Sequence, residues 1–256
     1  MTAIAGLVLT FNEAPNIART LAQLAWLPEI VVVDSGSTDG TPVIAAAFPN
    51  VRVVTRPFTT HDEQWNFGLQ HTGLTAEWVL ALDADYVLTD ALASEIAALQ
   101  PGADIAGYEA TFRYCVNGRP LRGAAYPPVT VLYRRALGRY HQDGHTQRVQ
   151  VNGPIGRLRE PIHHDDRKPL THWLWSQARY MALEAEKLAA GGELGPVDRV
   201  RQWIVIAPPA MFVYCYLVRG GILDGRAGLL YALQRATAEA ILSLFLVARR
   251  LPGSGR

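Results

Sequence analysis

The chain has 256 residues, of which 49% are hydrophobic and 18% are charged, and its formal net charge is +1 at pH 7. This length suits one large α/β domain, or one domain with an appendage. The charged fraction is below the roughly 25% of an average soluble domain, which indicates a partly covered or membrane-apposed surface. Basic charge is concentrated near the C-terminus, where residues 197–256 hold eight Arg and three acidic residues. These basic residues are not interleaved with a base-reading motif, so nucleic-acid binding has little support.

The cysteines and the first apolar run argue against further classes of protein. Cys115 and Cys215 lie far apart, and neither has a Cys-x-x-Cys or Cys/His neighbourhood. A zinc site and a disulfide framework are therefore poorly supported, and a reducing compartment fits. Residues 4–9 lack a basic region before them and lead directly into a patterned domain, unlike a secretory signal. We expect the N-terminal part to be cytoplasmic.

Strands alternate with helices through the first 85 residues. Apolar runs predict strands over 4–9, 30–34, 51–54 and 77–82, with helices starting near 15, 41 and 61. This alternation predicts a mostly parallel sheet covered on both faces. Ligands of such sheets bind outside the carboxyl ends of the strands. The polar residues that follow the strands at this edge are Asn12, Glu13, Asp34, Ser35, Asp39, Asp83 and Asp85.

Asp83 and Asp85 are the strongest of these signals. Side chains alternate in an extended chain, so the two carboxylates are expected on one side, with Ala84 turned away. They repel each other unless a cation or hydrogen-bond donors compensate, and Mg²⁺ or Mn²⁺ prefers oxygen ligands of this kind. The alternative is a pair of solvated aspartates in a turn. Polar residues at the ends of the neighbouring strands disfavour that alternative.

Three motifs together resemble those of family 2 glycosyltransferases of the GT-A fold. They are residues 9–13 (LTFNE), 33–41 (VDSGSTDGT) and 82–85 (LDAD). The resemblance covers about residues 3–170 and extends more loosely through the tail to bacterial enzymes similar to lipopolysaccharide core glycosyltransferases. It implies a nucleotide-sugar donor, with UDP as the family expectation, and inversion at the anomeric carbon by direct displacement. It also implies Mg²⁺ or Mn²⁺ at the diphosphate, where a cation neutralises the charge of the leaving group.

The resemblance further implies roles in donor binding. Asp85 would be the direct metal ligand, and Asp83 would lie near the ribose or the metal. Asp34 would accept a hydrogen bond from the base. The other residues expected at the nucleoside are Thr10, Phe11, Asn12, Glu13 and Ser35.

The segment before the fourth strand supplies two more donor-site candidates, Gln64 and Asn66. The alternative is that both side chains belong to the ordinary surface of a helix and have no role in the site. The family more often has a basic residue just before the Asn, and Trp65 departs from that pattern. This departure disfavours a donor-phosphate role for the helix.

An inverting transferase needs a base that takes the proton of the acceptor hydroxyl. Asp143 is the predicted base, because it resembles the carboxylate that family members place after the metal motif. A hairpin turn at Asp143-Gly144 is the alternative. Asp165 and Asp166 are rival bases. His145 is expected to assist or to orient the acceptor.

A downstream histidine is sometimes a further metal ligand in GT-A enzymes, and His163 or His164 would serve here. Residues 104–112 and 129–134 are predicted as two antiparallel strands that add an edge to the sheet. The predicted catalytic domain thus covers residues 1–168.

Residues 169–256 are predicted to form a helical region that associates with membranes. Residues 203–218 carry no charge but contain Pro208-Pro209, which would kink or break a helix. Residues 227–247 carry Arg235 and Glu239 near their middle, and charge at that depth is expensive in lipid. We therefore expect an amphipathic helix pair lying on an anionic leaflet. A re-entrant or spanning hairpin, a dimer interface and a soluble core are the alternatives.

The leading functional interpretation is an inverting, metal-dependent glycosyltransferase at the cytoplasmic face of the inner membrane. Its acceptor would be lipid-linked or an envelope glycan such as lipopolysaccharide core. A sugar-nucleotide nucleotidyltransferase is one alternative, but its expected Gly-rich, basic phosphate loop is missing from residues 10–13. A non-catalytic nucleotide-sugar binding or scaffold protein at the membrane is the other. Homo-oligomerisation stays open.

Overall fold

The computed structural model describes residues 3–143, 146–190 and 195–251, with side chains other than those of 142, 143, 146–148, 196 and 197. The chain forms two compact units. The sheet unit contains residues 3–120, 126–142 and 147–168. The helical unit contains residues 121–125 and the described residues from 169 onward, together with 143 and 146.

Thirteen strands are found in the described residues. They are β1 (Ile4–Thr10), β2 (Ile30–Asp34), β3 (Val51–Thr55), β4 (Trp78–Asp83), β5 (Tyr86–Val87), β6 (Gly107–Ala110), β7 (Phe112–Val116), β8 (Arg119–Pro120), β9 (Val129–Arg134), β10 (Gly138–Asp143), β11 (Thr146–Val151), β12 (Ile155–Arg157) and β13 (Ile162–His164). The helices that accompany the first six strands are α1 (Ile17–Ala22), α2 (Thr41–Ala46), α3 (His61–Gln70) and α4 (Asp90–Ala97).

The main sheet has seven strands in the order β12-β6-β9-β4-β1-β2-β3. β1 pairs in parallel with both β2 and β4, and β2 pairs in parallel with β3. β9 runs antiparallel to its neighbours β4 and β6. A smaller sheet has the order β5-β13-β7-β8, and β10 pairs with β11. The predicted α/β class with a mostly parallel sheet is confirmed.

Helices cover both faces of this sheet, which explains why its central strands are apolar throughout. One core cluster joins Val8 and Val32 of the strands to Leu21 of α1. The other joins strand residues of the opposite face to Trp65 and Leu69 of α3. The register aligns Thr10 with Asp34 and Leu9 with Asp83 at the carboxyl ends of β1, β2 and β4. The polar residues that follow these strands therefore meet at one edge.

The prediction for residues 104–134 was partly wrong. Residues 104–112 were expected to form one strand, but β6 and β7 are separate and belong to different sheets. The polar turn closes a β7–β8 hairpin through Asn117 and Gly118, whose φ angles are 51° and 79°. The predicted antiparallel pairing is found between β6 and β9, but β9 does not form the edge, because it lies between β4 and β6.

The helical unit contains α5 (Leu170–Ala189), α6 (Pro196–Arg201), α7 (Ala207–Val213) and α8 (Gly225–Arg250). Met181 and Leu188 of α5 pack with Leu242 and Leu246 of α8 in a shared apolar cluster. The prolines at 208 and 209 do not break α7, because they stand in its first turn, where no intrahelical N–H bond is required.

A continuous helical stretch over Gly221–Arg250 is long and apolar enough to cross a membrane by length and composition. A core helix of a soluble protein passes the same test. The charge at Glu239, near the middle of this stretch, is 2% exposed and is paired within the unit.

Candidate active site

Asp34 organises the turn after β2. It is 1% exposed, and both of its carboxylate oxygens accept hydrogen bonds. Oδ1 accepts from Thr10 Oγ1 at 2.8 Å and from Ser37 Oγ at 2.6 Å. Oδ2 accepts from the backbone N–H groups of Gly36 at 3.0 Å and of Ser37 at 2.8 Å. A carboxylate has about four acceptor positions, so the expected bond to a nucleobase stays a prediction that requires one of these bonds to open.

The loop after β1 is bonded to the same turn. The backbone N–H of Asn12 donates to Ser37 Oγ at 2.8 Å, and Asn12 Oδ1 accepts from the N–H of Thr38 at 2.8 Å. Asn12 has a φ of 54°, which Asn tolerates better than most residues. Thr10 is buried, whereas Phe11 is 47% exposed. The predicted donor-binding loop is thereby fixed against the turn after β2.

Asp83 and Asp85 show the predicted alternation. Ala84 between them is 2% exposed and joins the core, while both aspartates are partly buried. Burial, and after it the charge of Asp85, raises the pKa of Asp83 to about 6. A hydrogen bond from the Tyr86 side chain acts in the opposite direction. The two carboxylates are thus close enough to repel each other.

His164 pairs with Asp85 from the smaller sheet. His164 Nε2 lies 3.0 Å from Asp85 Oδ2, and the rings of Tyr86, Tyr114 and Tyr126 lie 5.2, 5.1 and 5.5 Å from the imidazole. Burial acts to lower the pKa of His164, but the charge and hydrogen bond of Asp85, together with the charges of Asp83 and Asp166, raise it. Burial acts to raise the pKa of Asp85, but the charge and hydrogen bond of His164, together with the charge of Lys168, lower it. Within the described residues, buried His164 Nδ1 has no hydrogen-bond partner.

The two aspartates suit a divalent cation that substrate phosphates also bind, rather than a metal ion enclosed by protein ligands alone. In the part of the chain that the structure describes, no group of three or more His, Cys, Asp or Glu side chains is arranged to hold a metal ion. Mg²⁺, however, is commonly bound by one or two carboxylates plus substrate phosphates. The repulsion between Asp83 and Asp85 is the interaction that a cation would relieve. Of the two histidine candidates, His164 contacts Asp85, whereas His163 lines a separate cavity.

Glu13 is held by a lysine that follows β13. Lys168 Nζ lies 2.5 Å from Glu13 Oε1, and Asn16 Nδ2 donates to Glu13 Oε2 at 2.7 Å. The same Asn16 nitrogen donates to Asp166 Oδ1 at 2.8 Å. Burial raises the pKa of Glu13 to about 7; Lys168 opposes this rise, and the charge of Asp85 adds to it. Lys168 therefore adds a positive charge to the surroundings of the aspartate pair, and Glu13 adds a negative charge as the pH rises above about 7.

Gln64 and Asn66 are engaged by the protein itself. Gln64 is fully buried, and its Nε2 donates to Ser35 Oγ and to Arg56 O, both at 3.0 Å. Asn66 Nδ2 donates to Tyr140 O, and Asn66 Oδ1 accepts from Tyr140 N, both at 3.0 Å. These contacts tie α3 to β10 and to the turn after β2. The donor-site role of Gln64 stays a prediction, whereas the two bonds of Asn66 to the Tyr140 backbone favour a structural role for that residue.

The structure describes the side chain of Asp165, a rival base, but not that of Asp143, the predicted base. Asp165 accepts from Arg19 Nη1 at 2.6 Å, from Arg167 Nε at 2.9 Å and from Gly118 N at 2.9 Å. Burial acts to raise the pKa of Asp165, but the Arg167 bond and the other donors lower it. The side chain of Asp143 and the whole of His145 lie outside the described residues.

Lys168, Asn16 and Tyr86 are site neighbours that the sequence analysis missed. Lys168 and Glu13 are 155 positions apart, so no local spacing relates them. Tyr86 follows Asp85 directly and bonds to Tyr126 through the two hydroxyl groups, which lie 2.5 Å apart. The position of Tyr86 next to the motif was the one available signal.

The chain belongs to glycosyl transferase family 2, whose family model matches residues 7–164. This membership confirms the expected enzyme class, a glycosyltransferase. Among its relatives is the lipopolysaccharide core biosynthesis glycosyltransferase LpsC of Rhizobium meliloti, which is 26% identical over 90% of this chain and 88% of that protein.

Two solved structures are similar at low identity. S. aureus TarS 1-349 in complex with UDP-GlcNAc has a TM-score of 0.49 and 16% identity, over 98% of this chain and 92% of that chain. Glucosyl-3-phosphoglycerate synthase from Mycobacterium tuberculosis, in complex with phosphoglyceric acid, has a TM-score of 0.49 and 17% identity. That match covers 76% of this chain and 82% of the synthase.

Proposed function

We propose that this protein is an inverting, metal-dependent glycosyltransferase that moves a sugar from a nucleotide sugar, with UDP as the nucleotide, to an envelope glycan or lipid-linked acceptor. The observation that carries the proposal is the meeting of Asp83 and Asp85 with the β1 and β2 loops at one edge of the sheet. The name of the full-length relative LpsC supports lipopolysaccharide core as the acceptor class.

Asp83 and Asp85 are the proposed holders of Mg²⁺ or Mn²⁺. A bound cation would neutralise the charge that develops on the diphosphate leaving group. His164 orients the Asp85 carboxylate through their 3.0 Å contact. The loop from Thr10 to Glu13 lines the proposed nucleoside site beside Asp34.

Asp143 is the proposed base for the acceptor hydroxyl. Asp165 is the weaker candidate, because two arginines and a backbone N–H occupy its oxygens and lower its pKa. A base with a low pKa removes a proton poorly at neutral pH. Asp166 has one oxygen bound to Asn16 Nδ2 and Lys168 N. The other carboxylate oxygen of Asp166 is left to accept a proton, so Asp166 remains the rival candidate for the base.

The helical unit is proposed to bind the cytoplasmic face of the inner membrane. Its charge-free segment, residues 203–218, exposes Val205 to 84% and Val218 to 69%. Arg219 and Arg226 follow this segment and are exposed. Apolar side chains flanked by cations suit the headgroup region of an anionic leaflet. This association would bring the enzyme to a membrane-borne acceptor.

The test of the donor proposal is thermal unfolding with a panel of nucleotide sugars, each with and without Mn²⁺. We expect a Mn²⁺-dependent rise in Tm with UDP-sugars. Asp85→Asn should lose the Mn²⁺-dependent part. Asp104→Asn, which changes an exposed carboxylate before β6 at the opposite end of the sheet, should retain it. A metal-independent rise that Asp85→Asn leaves unchanged would contradict the metal role.

A further inference from the structure

The cavity lined by His163 lies within the sheet unit, and neither Asp83 nor Asp85 lines it. Its volume is about 360 Å³, and its wall includes Arg19 and Gln23 from the region of α1, His163 of β13, and Arg167. Successive side chains of a strand point to opposite faces, and His164 is the one that contacts Asp85. His163 and the cavity therefore lie on the other face of β13.

The charges on this wall do not balance. Two guanidinium groups share one carboxylate, since Asp165 Oδ2 lies 2.6 Å from Arg19 Nη1 and 2.8 Å from Arg167 Nη2. The Asp165 side chain is 5% exposed, whereas those of Arg19 and Arg167 are 32% and 33% exposed. One positive charge is left over, and it resides on groups that solvent can reach.

Both guanidinium groups are held in place and still have free donors. Arg19 Nη2 donates to Asn16 Oδ1 at 2.8 Å and to Asp165 O at 2.9 Å. Arg167 uses Nε and Nη2 for Asp165, and no described residue accepts from its Nη1. Among the described residues, none bonds to the side-chain amide of Gln23 either. A Cβ at Gly118 would lie 2.7 Å from Arg167 Nη2, so a glycine at this turn leaves room for the guanidinium.

We propose that this cavity is an anion-binding site for a phosphate or carboxylate group. Fixed, planar guanidinium groups with outward N–H donors match the paired oxygens of these anions. The excess positive charge compensates the charge of the ligand, and the amide of Gln23 supplies a further donor. The site lies on the opposite face of β13 from Asp85 and does not depend on the proposed donor.

The test measures Tm at increasing inorganic phosphate and, separately, at increasing acetate, with ionic strength held constant by NaCl. Ala22 lines the cavity and is exposed, so Ala22→Glu adds a carboxylate to its wall. Ala25 is exposed three residues further on and does not line the cavity, which makes Ala25→Glu the matched control. Gln23→Glu is a second wall variant with nearly unchanged size.

We expect a saturable rise in the Tm of the wild type and of Ala25→Glu. The like charge in Ala22→Glu and Gln23→Glu should weaken apparent phosphate affinity about tenfold or more. A response to phosphate alone, or to acetate as well, identifies the anion class. The proposal is overturned if the wild type shows no saturable rise, if both wall variants keep it, or if Ala25→Glu loses it equally.

Discussion

Arg201 Nε lies 3.2 Å from Glu239 Oε2, which places a positive charge against the middle of α8. The same guanidinium reaches Glu184 Oε2 of α5 through Nη1 at 2.8 Å. The side chains of Glu184 and Glu239 are 4% and 2% exposed. The charge on α8 that made a spanning helix improbable is thus neutralised inside the helical unit.

Replacing Arg201 with Met should destabilise the helical unit strongly. The substitution removes the cation that two buried carboxylates share, and breaking a buried pair in this way costs about 3–5 kcal/mol. Urea unfolding followed by circular dichroism at the helix band measures the loss. Arg249→Met is the control, because the Arg249–Glu186 pair is exposed and should contribute less than about 1 kcal/mol. Equal effects of the two substitutions would contradict the prediction.

Replacing Lys168 with Met should cause a loss of stability that grows with pH. The folded pKa of Glu13 is about 7, above its ordinary value of 4.5, so its ionisation already opposes folding as pH rises through this range. Lys168 offsets that cost, and without it the Glu13 pKa rises further. At pH 5 Glu13 is protonated in both proteins. The free energy of unfolding of Lys168→Met should therefore be about 1 kcal/mol below that of the wild type at this pH. At pH 8 this difference should reach about 2 kcal/mol, because a further rise of a pKa that is already about 7 adds at most about 1.4 kcal/mol at that pH.

Urea unfolding of the wild type and Lys168→Met at the two pH values tests this. Glu13→Gln combined with Lys168→Met is the control, because it has no carboxylate to ionise at this position. The difference between this double variant and the wild type should vary with pH in the opposite sense, because only the wild type keeps the Glu13 ionisation that opposes folding. A destabilisation by Lys168→Met that is the same at pH 5 and pH 8 would show that Glu13 is not the responsible group.

Asn66 is expected to act on stability rather than on the donor. Asn66→Ala removes both bonds to Tyr140 and leaves a backbone N–H and a C=O without their partners, which costs about 1–3 kcal/mol. Urea unfolding gives this loss, and the KM for the nucleotide sugar at a temperature where the variant is folded should equal that of the wild type. A raised donor KM in a stable variant would instead return Asn66 to the donor site.

The sequence was sufficient for the elements whose signal is local. Asp83, Ala84 and Asp85 alternate as a strand end requires, and the parallel strands bring Asp34 to the same edge. The contact of Lys168 with Glu13 was not predictable, because it depends on how the chain returns after β13. The contact of Asn66 with the backbone of Tyr140 was not predictable either, because the two residues are 74 positions apart. Residues 104–112 were assigned to one strand because apolar content alone does not mark a change of sheet.

Asp143→Asn should remove transfer while leaving donor binding intact. The amide is isosteric with the carboxylate but accepts no proton from the acceptor hydroxyl, so we expect a fall in kcat of about 10²–10⁴-fold. Thermal shift with UDP-sugar and Mn²⁺ checks donor binding. Asp165→Asn and Asp166→Asn are the comparisons. Near-normal turnover in Asp143→Asn, with a large loss in one of the other two, would move the base to that residue.

Val205→Asp and Val218→Asp should each weaken binding to vesicles that contain anionic lipid. Each substitution puts a negative charge on the apolar segment proposed to enter the headgroup region. The variant loses the burial of the valine side chain there, and the new carboxylate is repelled by the anionic lipid. We expect partitioning to fall about tenfold or more for each, measured by vesicle flotation at fixed salt.

Val43→Asp is the matched control, because Val43 of the sheet unit is 77% exposed and the change in side chain and charge is identical. It should partition like the wild type. Point substitutions are preferable to deletion of residues 197–256, since deletion would also uncover the apolar face that α5 buries against α8. If all three variants float as the wild type does, the exposed apolar segment does not bind the membrane, and a contact between copies of the chain becomes the better explanation of its exposure.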